Sequence, residues 1–243
     1  MIEEAIVLDV KVGDGAFMKT LDDARELART MIDIGRGAGR EVVCELTDMD
    51  QPLGRSVGNA LEVREALDTV RGAGPPDLTE LVLASCAHLL ALSDLGVDHA
   101  EGRRRAEAAV ADGSALAAYE RWIRAQGGDP DESALAHAPI VREVPSPSGG
   151  VVARAGAIAI GRAALHLGAG RQTKDDVIDH AVGVVCLAKR GDRVEAGQAL
   201  AEIHARDDAS AERAVAEVQA AYDVGDGTVA VTPIVIETLA SFD

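Results

Sequence analysis

Asp9 and Lys11 sit two residues apart on one apolar run, followed at once by Gly13-Asp14-Gly15 and then Phe17. A carboxylate beside an ammonium is a candidate proton-transfer pair. The commoner reading is an ion pair closing a strand end. Phe17 follows the glycine turn at the carboxyl end of the run, where open α/β sheets bind ligands. With only two Phe in the chain, a loop Phe is notable, and an ordinary apolar plug is the competing reading. Asp48 and Asp50 are spaced to share a divalent metal, although two loop acids are usually just solvated. The six His show no HxH or HExxH spacing, so none reads as a metal ligand. Gly13–Gly15 and Gly35–Gly39 lack the Lys-Ser/Thr of a P-loop and a true GxGxxG, and read as turns. Gly168-Ala169-Gly170-Arg171 could face phosphate, but a helix stop with a glycine cap explains it as well.

Composition limits what these residues can be doing. The 243 residues suggest one large domain or two modest ones. Hydrophobic residues make up 47% but aromatics only 2%, so the core must be Ala, Val, Leu and Ile packed finely. No apolar run approaches the ~20 residues of a membrane span, and no amino-terminal secretion signal is read. A formal charge of −17 argues against nucleic acid, which rewards a basic surface. Arg103-Arg104-Arg105, flanked by Glu101 and Glu107, reads as a solvated helix face. Cys44, Cys86 and Cys186 are odd in number and far apart, which suggests reduced core thiols in a cytoplasmic protein.

The elements that must position these groups follow from periodicity. Residues 5–10 and 41–46 read as buried strands flanking a helix capped by Thr20, with Leu21, Ala24, Leu27, Ala28, Met31 and Ile32 on one face. That unit implies a parallel pair. Residues 58–127 read as helical: one helix capped by Asn59, one over 78–92, then 99–111 and 114–125. Gly127-Gly128-Asp129-Pro130 opens a linker ending at Gly149-Gly150. Beyond it, strands are expected at 151–153, 181–188 and 228–236, and helices at 158–167 and 209–222. Residues 191–200 read as turn-strand-turn-strand. The fold class is therefore α/β: a truncated, mostly parallel sheet with a helical cluster over 1–140, then a smaller α+β domain over 141–243.

Several ordered motifs resemble the pyrimidine-nucleoside phosphorylase family, which includes thymidine phosphorylase. They are 9–18 (Asp-Val-Lys-Val-Gly-Asp-Gly-Ala-Phe-Met), 46–54 (Leu-Thr-Asp-Met-Asp-Gln-Pro-Leu-Gly), 58–66 and 72–78. Gly168–Arg171, Asp175–Asp179 and Val182-Gly183 extend the match. The resemblance implies reversible phosphorolysis of pyrimidine (deoxy)nucleosides in nucleoside salvage, with phosphate as co-substrate. It implies that Phe17 lines the base pocket. It also implies potassium held by the carbonyls of Leu53 and Ser56 and the carboxylate of Glu65, a partial site of hard oxygen donors. From spacing alone, Glu65 is a helix-surface carboxylate.

The family's Lys-His-Ser phosphate segment and its base-binding Arg, Ser and Lys have no counterpart here. The chain is therefore expected to correspond to the carboxy-terminal portion, with no catalytic residues of its own. Its partners would be a nucleoside and phosphate in the complete enzyme, and an amino-terminal half or another copy. An open sheet edge is expected to make residues 1–140 prone to self-association. A competing expectation comes from residues 191–203, which look like the barrel-sandwich or hammerhead domains that carry a modified lysine. On that reading the chain is a non-catalytic binding module, and Lys189 is its nearest candidate.

Overall fold

The computed structural model describes residues 5–241. It groups the chain into two interleaved units. The first holds residues 5–49, Thr69–Ala118 and 232–241; the second holds Asp50–Asp68 and Tyr119–Val231. A single cut near residue 140 does not describe this grouping, because the chain passes between the units several times.

In the first unit, β1 (Ala5–Val12) and β2 (Glu41–Asp48) pair in parallel, with Asp9 opposite Glu45. Helix α1 (Leu21–Gly37) connects them. Thr20 accepts a hydrogen bond from the Asp23 amide, and acidic Asp22 and Asp23 complement the helix dipole in the first turn. Alternation along β2 sends Val42, Cys44 and Leu46 into a core with Ala24, Ala28 and Ile32 of α1. No Cβ fits at Gly35, where it would lie 2.2 Å from a Val42 methyl. Helices α3 (Pro76–Ala91) and α4 (His99–Ala111) pack on each other, and α3 also packs on β1.

A third strand completes this sheet in the order β1-β2-β10. It is β10 (Val235–Ala240), antiparallel to β2. The strand expected over 228–236 is thus displaced towards the carboxyl end and belongs to the first sheet. Pro233 has no N–H to give a ladder, so pairing starts beyond it. Arg25 of α1 and Glu237 of β10 form an ion pair at 2.7 Å.

The second unit contains β3 (Ser56–Val57), then α2, which spans Asn59–Val70 and lies in this unit as far as Asp68. A four-stranded sheet has the order β3-β6-β8-β4, with β4 Ile140–Pro145, β6 Gly183–Cys186 and β8 Ala199–Ala205. A three-stranded sheet has the order β7-β5-β9, with β5 Gly150–Ala155, β7 Arg193–Val194 and β9 Tyr222–Gly225. Helices α6 (Ala157–Ala164) and α7 (Asp208–Ala220) cover the core. Helix α5 (Ser114–Ala125) has residues 114–118 assigned to the first unit and 119–125 to the second. The core is Ile160, Leu167, Leu200, Ile203 and many Ala and Val, as the low aromatic content requires. Its one buried aromatic, Tyr222, donates to the Ala188 carbonyl at 3.1 Å.

Asn59 opens α2, but its side chain does not cap it. The amide instead donates to the Ala169 carbonyl at 3.3 Å, and Glu62 accepts from the Gly58 amide at 2.9 Å. Gly168, with φ near 113°, ends the π-helical turn that follows α6. The two-residue strand β3 is held on β6 by a close backbone approach. A Cβ on Gly58 would lie 2.5 Å from the Val182 carbonyl oxygen, and one on Gly183 would lie 2.4 Å from that of Val57. Neither clash can be relieved by a side-chain rotation, because both opposing atoms are backbone. Among the described residues no helix is long and apolar enough to cross a membrane.

Gly183→Ala is therefore expected to cost about 1–3 kcal/mol, the usual range for overpacking. A urea titration should show the loss as a lowered midpoint. An unchanged midpoint would mean that β3 can slide off β6 without consequence.

Candidate functional site

Residues 52–56 form a turn between the first strand–helix–strand unit and β3. Glu65, two turns along α2, reaches back to it. Its Oε1 accepts from the Arg55 amide at 2.9 Å, the Ser56 amide at 3.1 Å and the Ser56 hydroxyl at 3.2 Å. This carboxylate is therefore not a mere helix-surface acid. Gly54 has φ near 63°, and a Cβ there would meet Glu65 Oε2 at 2.1 Å. Glycine thus lets the carboxylate lie against the turn's backbone.

The turn's carbonyls have distinct partners. The Lys189 ammonium donates to those of Pro52 and Gly54. The Cys186 amide donates to that of Arg55 at 2.7 Å. The carbonyls of Leu53 and Ser56, the two implied as cation ligands, are not among those bonded to Lys189 or Cys186. Leu53 and Ser56 thus lie on one turn, with the Glu65 carboxylate of α2 bonded to its amides. Among the described residues no cluster of three or more His, Cys, Asp or Glu is arranged to hold a metal.

Sequence reasoning does not connect the groups that brace this turn with it. Lys189 begins a tight turn in which its amide donates to Asp192 Oδ2 at 2.8 Å, while the Asp192 amide donates to the Lys189 carbonyl at 3.0 Å. The Arg190 amide donates to Gln51 Oε1 at 2.9 Å, and its guanidinium lies 3.4 Å from Asp50. The available signal was Lys189-Arg190 directly before a Gly-Asp turn. The partners are about 135 positions away in sequence, beyond any local pattern.

Phe17 belongs to the other unit. Its loop is stitched to the carboxyl ends of β1 and β2. The Gly13 amide donates to the Met18 carbonyl at 3.0 Å, and the Gly15 amide to that of Met49 at 2.8 Å. Lys19 Nζ donates to the Asp14 carbonyl at 2.8 Å. Phe17 is 97% exposed, so it does not plug the core. It borders a hollow of about 440 Å³ that also involves Met18, Lys19, Asp23 and Leu27.

The remaining candidates resolve simply. Asp9 and Lys11 form an ion pair at 2.6 Å, and Asp9 accepts from the Thr47 hydroxyl at 2.5 Å. Asp48 is buried at the end of β2, unlike the solvated acid expected from sequence. Arg103 pairs with Glu80 and Glu107, and Arg104 and Arg105 both pair with Glu101. All three cysteines are free; Cys44 and Cys186 are buried and Cys86 is half-buried. Burial pushes the Cys44 thiol up to about 11, so it stays protonated and unreactive at neutral pH.

Two family models match successive parts of the chain. Residues 2–116 match the glycosyl transferase family a/b domain, and residues 151–225 match the pyrimidine nucleoside phosphorylase C-terminal domain. The pyrimidine-nucleoside phosphorylase of Geobacillus stearothermophilus is 46% identical over 205 residues, which is 83% of this chain and 47% of the relative. That of Bacillus subtilis (strain 168) is 46% identical over 206 residues, 83% of this chain and 48% of the relative. The Staphylococcus aureus (strain USA300) enzyme is 45% identical over 207 residues, with 83% and 47% covered. Over 83% of its length the chain is thus similar to pyrimidine-nucleoside phosphorylases. It spans about half the length of the curated relatives it matches.

In the first unit, Glu45 of β2 is a buried acid outside the candidate sites above. Glu45 is fully buried on the face of β2 opposite the α1 core. Ser85 of α3 donates to its Oε2 at 2.5 Å, while Oε1 has no hydrogen-bond partner. His88 lies 3.9 Å away and its ring packs at a tilt against that of His99, with centroids 4.3 Å apart. Burial, then His99, hold His88 below its usual range, so it is neutral and gives Glu45 no counter-charge. Burial raises the Glu45 carboxyl above its usual range. The Ser85 bond opposes this shift, Asp9 adds to it and Lys11 opposes it.

A carboxyl whose pKa is higher folded than unfolded releases a proton on unfolding. Its contribution is fully present below the unfolded value and is lost as pH rises through the folded one. His88, with a lowered value, acts in the opposite sense, so the comparison must isolate Glu45. Glu45→Gln is expected to melt as the parent does near pH 4. At pH 8 it should melt about 2–4 °C higher, roughly 1 kcal/mol for a chain of this size. Parallel melting curves across that range would show that Glu45 carries no such cost.

Proposed function

We propose that this chain takes part in the reversible phosphorolysis of pyrimidine (deoxy)nucleosides. In that reaction a phosphate oxygen bonds to C1′ of the sugar as the bond from C1′ to the base nitrogen breaks. The products are the free base and a (deoxy)ribose 1-phosphate. The observation that carries this reading is about 46% identity to pyrimidine-nucleoside phosphorylases across 83% of the chain. The placement of Phe17 supports it. An exposed aromatic at the carboxyl ends of parallel strands is suited to lie against a flat pyrimidine.

The transition state gathers positive charge on the sugar and negative charge on the leaving base. It needs a phosphate cradle and donors to the base carbonyls. We assign those groups to a segment outside this chain, because it has no Lys-His-Ser string. The chain's own share is Phe17 against the base and the turn at 52–56. There, the carbonyls of Leu53 and Ser56 and the Glu65 carboxylate would hold potassium, which supplies fixed positive charge. The two small sheets of the second unit are read as the barrel-sandwich arrangement suggested by residues 191–203. The surroundings are those of cytoplasmic nucleoside salvage.

Purified chain with phosphate and thymidine or uridine, followed by absorbance on base release, tests this. No turnover is expected from the chain alone. Turnover is expected once the complementary half of the Bacillus subtilis enzyme is added as a separate polypeptide. Turnover by the chain alone would contradict the division of labour, and silence in both mixtures would contradict the reaction.

A further inference from the structure

Lys189 is not among the residues to which the family resemblance assigns a role. Its ammonium is nonetheless spent on two main-chain carbonyls, Pro52 and Gly54, about 135 positions away in sequence. Those carbonyls flank Leu53. The same Gly54 lies against the Glu65 carboxylate. The turn's amides at Arg55 and Ser56 point to that carboxylate. One short turn is thus served by a fixed negative group at its amides and a fixed positive group at its carbonyls. The backbone around Lys189 is itself pinned by Asp192 and by the Arg190–Gln51 bond. Its stem therefore starts from a defined place.

We propose that Lys189 is a positioning residue acting as a tethered cation: its ammonium holds the turn at residues 52–56 so that Leu53 and Ser56 are presented in one geometry. An ammonium suits this task better than a guanidinium. It is a compact charge with three donors and can bond two carbonyls one residue apart. This use of the amine also sets Lys189 apart from a lysine presented at a hairpin tip for modification. The proposal goes beyond the phosphorolysis reading and does not rest on it.

The test is hydrogen exchange at the Arg55 and Ser56 amides of the full chain. It is run in choline chloride without nucleoside, phosphate or potassium, so that failure of the phosphorolysis reading leaves it intact. Lys189→Ala is expected to speed exchange at these two amides at least tenfold. Ethylammonium, which can enter the vacated channel, is expected to restore most of the protection. Lys189→Met keeps the apolar stem and safeguards the fold. It should show the same acceleration, with no rescue, because the stem fills the channel. Wild-type exchange rates in both variants would overturn the proposal. So would acceleration in Lys189→Ala that ethylammonium leaves unchanged, or equal rescue of both variants.

Discussion

A single turn, residues 52–56, receives a carboxylate from one side of the sequence and an ammonium from the other. Glu65 gathers its amides and Lys189 its carbonyls. Partly buried backbone groups must find partners, and partners that carry charge make the stronger hydrogen bonds. The ladder with β6 reaches only the end of the turn, where the Cys186 amide bonds the Arg55 carbonyl. Two charged side chains serve most of the rest. The chemistry assigned to this part of the molecule depends on that division.

The support beneath the turn is built from small residues. Gly58 and Gly183 let β3 and β6 approach more closely than any side chain would permit. Ala163, Ala201, Ala205, Ala211 and Ala214 fill the core where a larger protein interior would carry aromatics. With little bulk in each residue, the interior relies on close backbone approach and many small contacts. It should therefore tolerate added volume poorly at its glycines. The first unit is built differently. Its sheet has an apolar face on α1 and a polar opposite face, where Asp9, Thr47, Glu45 and Ser85 are linked in pairs. Part of that face is a carboxyl kept in the core without a full set of partners.

What local pattern encodes was legible. The parallel pair with Thr20 capping α1, the helices at 99–111 and 114–125, the Asp9–Lys11 ion pair and the solvated Arg103–Arg105 face all follow from spacing of a few residues. What distant partners decide was not. The final strand belongs to the first sheet because β2 has an edge for it and Pro233 delays pairing, neither of which shows in hydrophobic alternation. Asn59 looks like a helix cap until Ala169 competes for its side chain. Glu65 looks like a surface acid until the turn folds against it, and Lys189 reads only as the nearest candidate for a modified lysine. The site residues Leu53, Ser56 and Phe17 came from family resemblance, since no spacing rule singles out backbone carbonyls or one loop aromatic.

The central claim is that Glu65 and Lys189 hold the turn as a unit. A double-mutant cycle of Glu65→Gln, Lys189→Met and the pair, with stability read from urea unfolding, measures that directly. The expected result is a coupling of about 0.5–3 kcal/mol, the range for residues that share one network. Additivity to within about 0.3 kcal/mol would mean that the two groups act on the turn independently, and would contradict the account.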